Sequence, residues 1–200
     1  MIQMNDRTAG LSEAVSAAAS VKRSLQIVGG ASKLFYGREP EGELLAVGDH
    51  TGITAYDPTE LVVTVRAGTR LSELAEVLRY ERQMLPFEPP LFGSLTTIGG
   101  TVACGLSGPS RPYRGAVRDF VLGVGLLNGR GERLRFGGQV IKNVAGYDVS
   151  RLITGAMGTL GVILDVSIRV HPLTENEKTL YYELTEHNAL KKMKAGTGRP

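Results

Sequence analysis

A chain of 200 residues, 42% apolar and 22% charged, is long enough to bury a sizeable core and has the makeup of a globular protein rather than a disordered or fibrous one. Its 23 Lys and Arg are scattered among 20 Asp and Glu for a formal charge of +3, which argues against the basic stripe that grips nucleic acid. A single cysteine (Cys104) excludes an internal disulfide, the three histidines (His50, His171, His187) are too far apart in sequence for a zinc motif, and no apolar run approaches the ~20 residues of a spanning helix.

From Thr8, apolar residues Leu11, Ala14, Val15, Ala18 and Val21 recur at helical spacing, and residues 25–28 then form a short apolar strand stopped by Gly29 and Gly30. Residues 61–66 (LVVTVR) are β-branched and predict a strand. Ala67 and Gly68 break it, and Thr69 stands where it would cap a helix carrying Leu71, Leu74, Val77 and Leu78 on one face. Pro86, Pro89 and Pro90 rule out regular structure before the segment 96–119 (TTIGGTVACGLSGPSRPYRGAVRD), whose glycines leave only loop or short helix. Asn128-Gly129 between apolar runs at 120–127 and 132–136 predicts a β-hairpin. Glycines at 155, 158 and 161 would each cost about 1 kcal/mol inside a helix, so GAMGTLG reads as a loop. Beyond it Val162, Leu164, Val166, Ile168 and Val170 alternate with period two, as a half-buried strand ending at His171-Pro172. Pro172 reads as a domain boundary, followed by a strand at 179–184 and a helix from Asn188 to Lys194 whose Lys191, Lys192 and Lys194 form a solvated face.

Three glycine-rich turns, 27–33 (IVGGASK), 96–100 (TTIGG) and 155–161, are thus distant in sequence and adjoin strands or the long bare segment. A diphosphate concentrates negative charge in a small volume, and backbone N–H groups in such turns reach it without a Cβ in the way. Gly29, Gly30 and Ser32 suit that task and Lys33 adds a point charge; the competing reading of IVGGASK is a strand ending at an ordinary turn. Gly-x-Gly-x-x-Gly is not completed at 123–125 or 129–131, and there is no Walker A motif, which disfavours an ordinary Rossmann or P-loop site. Cys104, between Ala103 and Gly105, reads as a small packed residue before it reads as a nucleophile, because no activating partner is near in sequence. His171, isolated before a proline, reads as structural. Asn143, Tyr147 and Asp148 either orient a cofactor ring or close a turn, and their spacing leaves both open.

Four segments in order, DPTELVVTVRAGTRLSEL (57–74), QMLPFEPP (83–90), GGTVACGLSGPSRPYRGAVRDFVLG (99–123) and VIKNVAGYDVSRLITGAMGTLGVI (140–163), closely resemble the vanillyl-alcohol oxidase and p-cresol methylhydroxylase (PCMH-type) FAD-binding family, and within it the flavin-binding subunits of glycolate oxidases. The resemblance covers nearly the whole chain. It implies an α+β FAD-binding module at 1–172, made of two α/β subdomains with the dinucleotide between them, and the opening of a substrate domain at 173–200. Carried over by position, Gly29, Gly30, Ala31, Ser32 and Lys33 would hold the pyrophosphate. Thr97, Ile98, Gly99, Gly100, Thr101 and Ala103, with Gly105, Gly115 and Asp119, would line the second side, and Gly158, Gly161 and Ile163 would meet the cofactor largely through backbone atoms. Many relatives bind flavin covalently through a histidine in the first loop; Ala31 and Ser32 stand here, so non-covalent FAD is expected. Where the wider dehydrogenase branch has Ser-Glu-Gly, this chain has Ala156-Met157-Gly158, which removes a carboxylate beside the cofactor.

The activity so implied is oxidation of glycolate, or a similar 2-hydroxy acid, by hydride transfer to flavin, with electrons passed to a paralogous flavin subunit and an iron–sulfur subunit. Two alternatives stand beside it: an FAD-binding subunit serving only assembly or electron relay, and a related flavin oxidase with another hydroxylated substrate. Catalytic side chains are not assigned, no metal ligands are expected, and the short chain by itself is expected to turn over little. With no basic N-terminal stretch followed by an apolar one, a cytoplasmic location is expected, with contact to the inner membrane made through partners.

Overall fold

The computed structural model describes residues 3–138 and 147–196, so Asn143 and the 140–146 part of the last family-like segment lie outside the described residues. Its centre is a five-stranded antiparallel sheet in the order β3 (Ile53–Asp57), β4 (Val62–Arg66), β8 (Val162–Arg169), β6 (Val121–Leu127) and β7 (Arg133–Gly137). Two short ladders stand apart: a parallel pair of β1 (Leu25–Val28) and β2 (Glu43–Ala46), and an antiparallel pair of β5 (Gln83–Met84) and β9 (His171–Pro172). Among the described residues the helices are α1 (Thr8–Ser20), α2 (Leu71–Tyr80), α3 (Ile98–Cys104), α4 (Arg111–Arg114), α5 (Val149–Ile153) and α6 (Glu186–Gly196), with a 3₁₀ turn at Val117–Asp119. The fold is therefore mixed helix and sheet.

β8 holds the centre because β4 and β6 flank it, and its residues 162–168 are all buried rather than half-buried as the alternation predicts. Two of its polar side chains are engaged from other strands of the sheet: Ser167 Oγ meets Thr64 Oγ1 at 2.9 Å, and Asp165 takes a 2.8 Å ion pair from Arg135. α3 packs on β4 and β8, and α5 on β6 and β7. α1 buries Leu11, Val15 and Ala18, as its spacing predicts, and reaches the β6–β7 hairpin through Ser12 Oγ donating to the Gly131 carbonyl at 2.6 Å. The hairpin forms where Asn128-Gly129 predicts, although Gly131, not Gly129, takes the left-handed conformation.

Two further expectations change. Thr69 does not cap α2; its Oγ1 is buried and accepts from Gly52 N at 2.9 Å, while Arg70 occupies the cap position without a side-chain bond to the helix. The 179–184 segment forms no strand, because no neighbouring edge pairs with it. Of the loop and short helix left open for the second glycine-rich segment, the short helix forms, with Gly99 and Gly100 inside α3. Among the described residues no helix is long and apolar enough to cross a membrane.

The N-terminal segment is fastened at Asn5, which bridges to Thr51, at Arg7 N, which donates to His50 Nδ1 at 3.0 Å, and at Asp6, which pairs with Arg66 at 2.7 Å. His50 is almost fully enclosed. Burial pushes its pKa below the ordinary 6.5, with Asp6 pulling it up and Arg66 pushing it down. An unfolded chain therefore takes up this proton first. The contribution is complete above about 6.5 and is lost as the pH falls through that value towards the folded-state pKa; His171, also lowered by burial, acts with the same sign. The denaturation midpoint is expected to fall between about pH 7.5 and about pH 5.5, and His50→Gln, which keeps an acceptor for Arg7, to flatten that fall. Thr69→Val, which strands the buried Gly52 amide, is expected to lose about 1–3 kcal/mol in urea denaturation.

Candidate functional site

The first turn leaves β1 at Gly29 and runs against the chain that enters α3. A Cβ at Gly29 would lie 2.6 Å from Thr97 Oγ1, and one at Gly30 would strike the Leu95 carbonyl, so only bare backbone passes here. Thr96 Oγ1 meets Ser32 Oγ at 3.1 Å and ties the two segments together. The backbone amides of residues 29–33 donate to no other described residue. Lys33 is 9% exposed, its Nζ has Ser32 Oγ at 3.5 Å, and no carboxylate among the described residues lies within 4 Å of it. Burial pushes its ammonium pKa down, opposed by the Cys104 thiol.

α3 divides the candidate residues by helical spacing. Thr97, Gly100, Ala103 and Cys104 share the face that looks onto the cavity described below, whereas Ile98, Gly99 and Thr101 are buried on the other side. A Cβ at Gly99 would lie 2.5 Å from that of Ala67, which fixes how closely α3 approaches the end of β4. The first amides of this helix are all engaged: Ile98 N donates to Thr69 O, Gly99 N to Ala67 O, Gly100 N to Thr97 Oγ1 and Thr101 N to Thr97 O. α3 thus offers a bare wall rather than a set of unpaired donors.

The third turn is pinned to the end of α3, since Gly155 N donates to Val102 O at 3.0 Å and Met157 N to Ala103 O at 2.9 Å. It sets Met157, Gly158 and Thr159 opposite β1, where a Cβ at Gly158 would lie 3.2 Å from Ile27 Cδ1. Between the three segments lies a cavity of about 490 Å³, lined by β1, residues 29–34, Tyr36, residues 38–40 and the faces just named. That volume is in the range of a small-molecule or cofactor site.

The cavity gathers Gly29, Gly30, Ala31, Ser32, Lys33, Thr97, Gly100, Ala103 and Gly158 from the sequence-predicted set. The others stand outside its lining. Gly105 ends α3 in the left-handed conformation against Gly155, and Gly161 packs with its missing Cβ 2.5 Å from the Leu127 carbonyl. Ile163 is buried in β8 opposite Leu126. Gly115 adjoins Asp119, whose Oδ2 accepts from Ala116 N at 2.9 Å. Tyr147 is 98% exposed, and Asp148 caps α5 by accepting from Arg151 N at 3.0 Å, the turn-closing alternative of the two its spacing allows. His171 sits edge-on to Phe120 at 5.6 Å, away from the cavity lining.

Sequence reasoning left Cys104, Met157, Thr159 and Tyr36 out of the site. The signal for Cys104 was present, as it lies on the helical face of Thr97 and Gly100, one that is recognisable only once 98–104 is known to be helix. Burial pushes the Cys104 thiol up and Lys33 draws it down, so it stands as a protonated wall residue at neutral pH.

Residues 6–137 match the family described as FAD binding domain. The chain is 48% identical over 190 residues to glycolate oxidase subunit GlcE of Escherichia coli (strain K12), covering 95% of this chain and 54% of that protein. It is 31% identical over 141 residues to glycolate oxidase subunit GlcD of Bacillus subtilis (strain 168), 70% of this chain and 30% of that one. To the D-lactate dehydrogenase of Anaerostipes hadrus it is 30% identical over 131 residues, 66% of this chain and 27% of that one. The chain thus spans about half the length of the first of these relatives and less of the other two. With two thirds of its residues inside the match, it belongs to the FAD-binding domain family and is a flavoprotein with FAD as cofactor.

The Lys33 ammonium, without a carboxylate among the described residues, the amides of residues 29–33, which donate to no other described residue, and a bare helical wall fit a dinucleotide diphosphate. Lys33→Gln is expected to weaken FAD binding by roughly tenfold to a hundredfold in a fluorescence titration, the scale of a lost charge-assisted hydrogen bond. In the flavin-free protein the same change is expected to slow alkylation of Cys104 at mildly alkaline pH, because it removes the charge that favours the thiolate.

Proposed function

We propose, with membership of the FAD-binding domain family as premise, that this protein is the FAD-binding subunit of a glycolate oxidase-type complex that oxidises glycolate or a close 2-hydroxy acid to the 2-oxo acid. The observation that carries the reading is the buried Lys33, with no carboxylate partner among the described residues, beside amides of residues 29–33 that donate to no other described residue, facing the bare side of α3 across one cavity. The names of the relatives, glycolate oxidase subunits and a D-lactate dehydrogenase, support a 2-hydroxy acid as the substrate class.

When bound, FAD supplies the hydride acceptor for the alcohol carbon of the substrate. The chain's own residues bind and position. The amides of residues 29–33 and the Lys33 ammonium neutralise the diphosphate, and Thr97, Gly100 and Ala103 let the cofactor lie close to the backbone of α3. Gly158 closes the opposite side. Ile98 and Gly99 act from behind by fixing α3 on the segment that follows β4, Thr101 is bonded to Thr97 within the wall, and Gly105, Gly115, Asp119, Gly161 and Ile163 would meet the parts of an extended dinucleotide that run past the cavity. No histidine lines the cavity, which supports a non-covalent cofactor. Residues 1–172 would form the FAD module as two subdomains, with a substrate domain beginning at 173, and a second flavin subunit and an iron–sulfur subunit would take the electrons.

The full-length protein is expected to be isolated yellow and to release FAD on denaturation without proteolysis. Anaerobic addition of glycolate to the isolated full-length subunit is expected to bleach its flavin absorbance. An unchanged spectrum, with bleaching restored only in the assembled complex, would place the oxidation on a partner and leave this subunit as a relay. Bleaching by lactate or an alditol, but not glycolate, would change the substrate.

A further inference from the structure

The turn of residues 29–33 rests on residues 95–97, and one residue of that support has no place in the expected cofactor set. Thr96 stands outside the cavity lining and is 2% exposed. Its backbone is laced to the start of α2, since Leu71 N donates to Thr96 O at 2.9 Å and the next residue but one, Ile98, donates its amide to Thr69 O at 2.9 Å. Thr96 is therefore placed by the core and not by the turn it touches. Its hydroxyl has one proton to give and two acceptors in reach, Ser32 Oγ at 3.1 Å and Gly93 O at 3.0 Å. Ser32 does line the cavity, and its Oγ also has the Lys33 ammonium at 3.5 Å. With donors at both contacts, the lone pairs of Ser32 Oγ turn to Thr96 and Lys33, which leaves its own proton directed away from them. That proton meets no acceptor among the described residues.

We propose that Thr96 is a positioning residue of the diphosphate site: by donating to Ser32 Oγ it leaves the serine proton to an anionic oxygen in the cavity. The proposal rests on the cofactor reading above and adds to it a residue that acts through Ser32. An anion that accepts from Ser32 makes Ser32 Oγ the stronger acceptor and draws the Thr96 proton from Gly93 O to it, so the two bonds strengthen one another. Leu71 holds Thr96 in place before the anion arrives, and a hydroxyl oriented in advance loses little freedom on binding. Without the Thr96 donor, the serine has only Lys33 to orient it, and part of that advantage is lost.

The test measures the FAD dissociation constant by fluorescence titration of the full-length protein, in wild type, Ser32→Ala, Thr96→Val, Thr96→Ser and the double variant Ser32→Ala with Thr96→Val. Ser32→Ala is expected to weaken binding by roughly tenfold, the scale of one hydrogen bond to a charged group, and Thr96→Val by that much or less. Thr96→Ser, which keeps the hydroxyl, is expected to stay near wild type. The double variant is expected to bind FAD as Ser32→Ala does, because no serine hydroxyl remains to be positioned. A residue that merely supported the turn would shift the amides of 29–33 as well, and its loss would add in full to that of Ser32→Ala. Full additivity therefore overturns the proposal, and so does unchanged affinity in Ser32→Ala or in Thr96→Val. Thr96→Ala is expected to behave as Thr96→Val and carries the same cycle if the valine variant does not fold. Calorimetric titration with inorganic pyrophosphate separates this proposal from the reading it rests on. A wild-type protein that takes up pyrophosphate with the same non-additivity, but takes up no FAD, overturns the cofactor reading and leaves Thr96 in its role. A wild-type protein that takes up neither overturns both.

Discussion

Everything at the candidate site depends on backbone meeting backbone without an intervening Cβ where β1 hands over to the first turn. Gly29 and Gly30 pass so close to Thr97 and Leu95 that the turn and the entry to α3 are in effect one surface. The same device repeats one layer further in, where Gly99 sits on Ala67 at the end of β4, and where a Cβ at Gly68 would lie 2.5 Å from the carbonyls of Val47 and Gly48. Through these contacts the small parallel ladder of β1 and β2 is registered against the five-stranded sheet. Larger side chains at these positions would force the layers apart and open the cavity between them.

That close approach sorts the polar groups of the site into two kinds. The amides of α3 are spent on holding it to Ala67, Thr69 and Thr97, which makes the helix a rigid wall. The amides of residues 29–33 are left unengaged, and the one cation beside them is enclosed without a carboxylate among the described residues. A buried ammonium without an anion is costly. An anionic ligand reduces that cost, so the site is electrostatically incomplete in the same place that it is geometrically open. Cys104 belongs to this balance, since its raised thiol pKa keeps a second charge out of the wall.

The five-stranded sheet supplies the rigidity that such a site needs. β8 is buried along nearly its whole length, with Asp165 and Ser167 satisfied from β7 and β4. The third turn enters directly before this strand and is bonded to α3 at Val102 and Ala103. Two of the three segments around the cavity are therefore anchored to the core. The third side, residues 31–42, is bonded at Tyr36 N to Lys33 O and exposed over residues 34–42.

The sequence alone determined the elements whose signal is local: the helix at Leu11, Val15 and Ala18, the strand of β4, the hairpin at Asn128-Gly129 and the glycine-rich turns after β1 and before β8, each written in a period or in turn chemistry that neighbours do not override. It also carried the family, because four segments in order are a linear pattern. Tertiary structure decided what those glycines are for. Gly99, Gly115 and Gly161 look like Gly100 and Gly158 in the sequence, yet of these five the last two line the cavity, a distinction that exists only once β4, α3 and β6 are in place. In the same way Thr69 became an acceptor for Gly52, β8 became buried on both faces, and Cys104 and Met157 became cavity residues. Each outcome depends on a partner far away in the chain, and no local pattern encodes which partner that is.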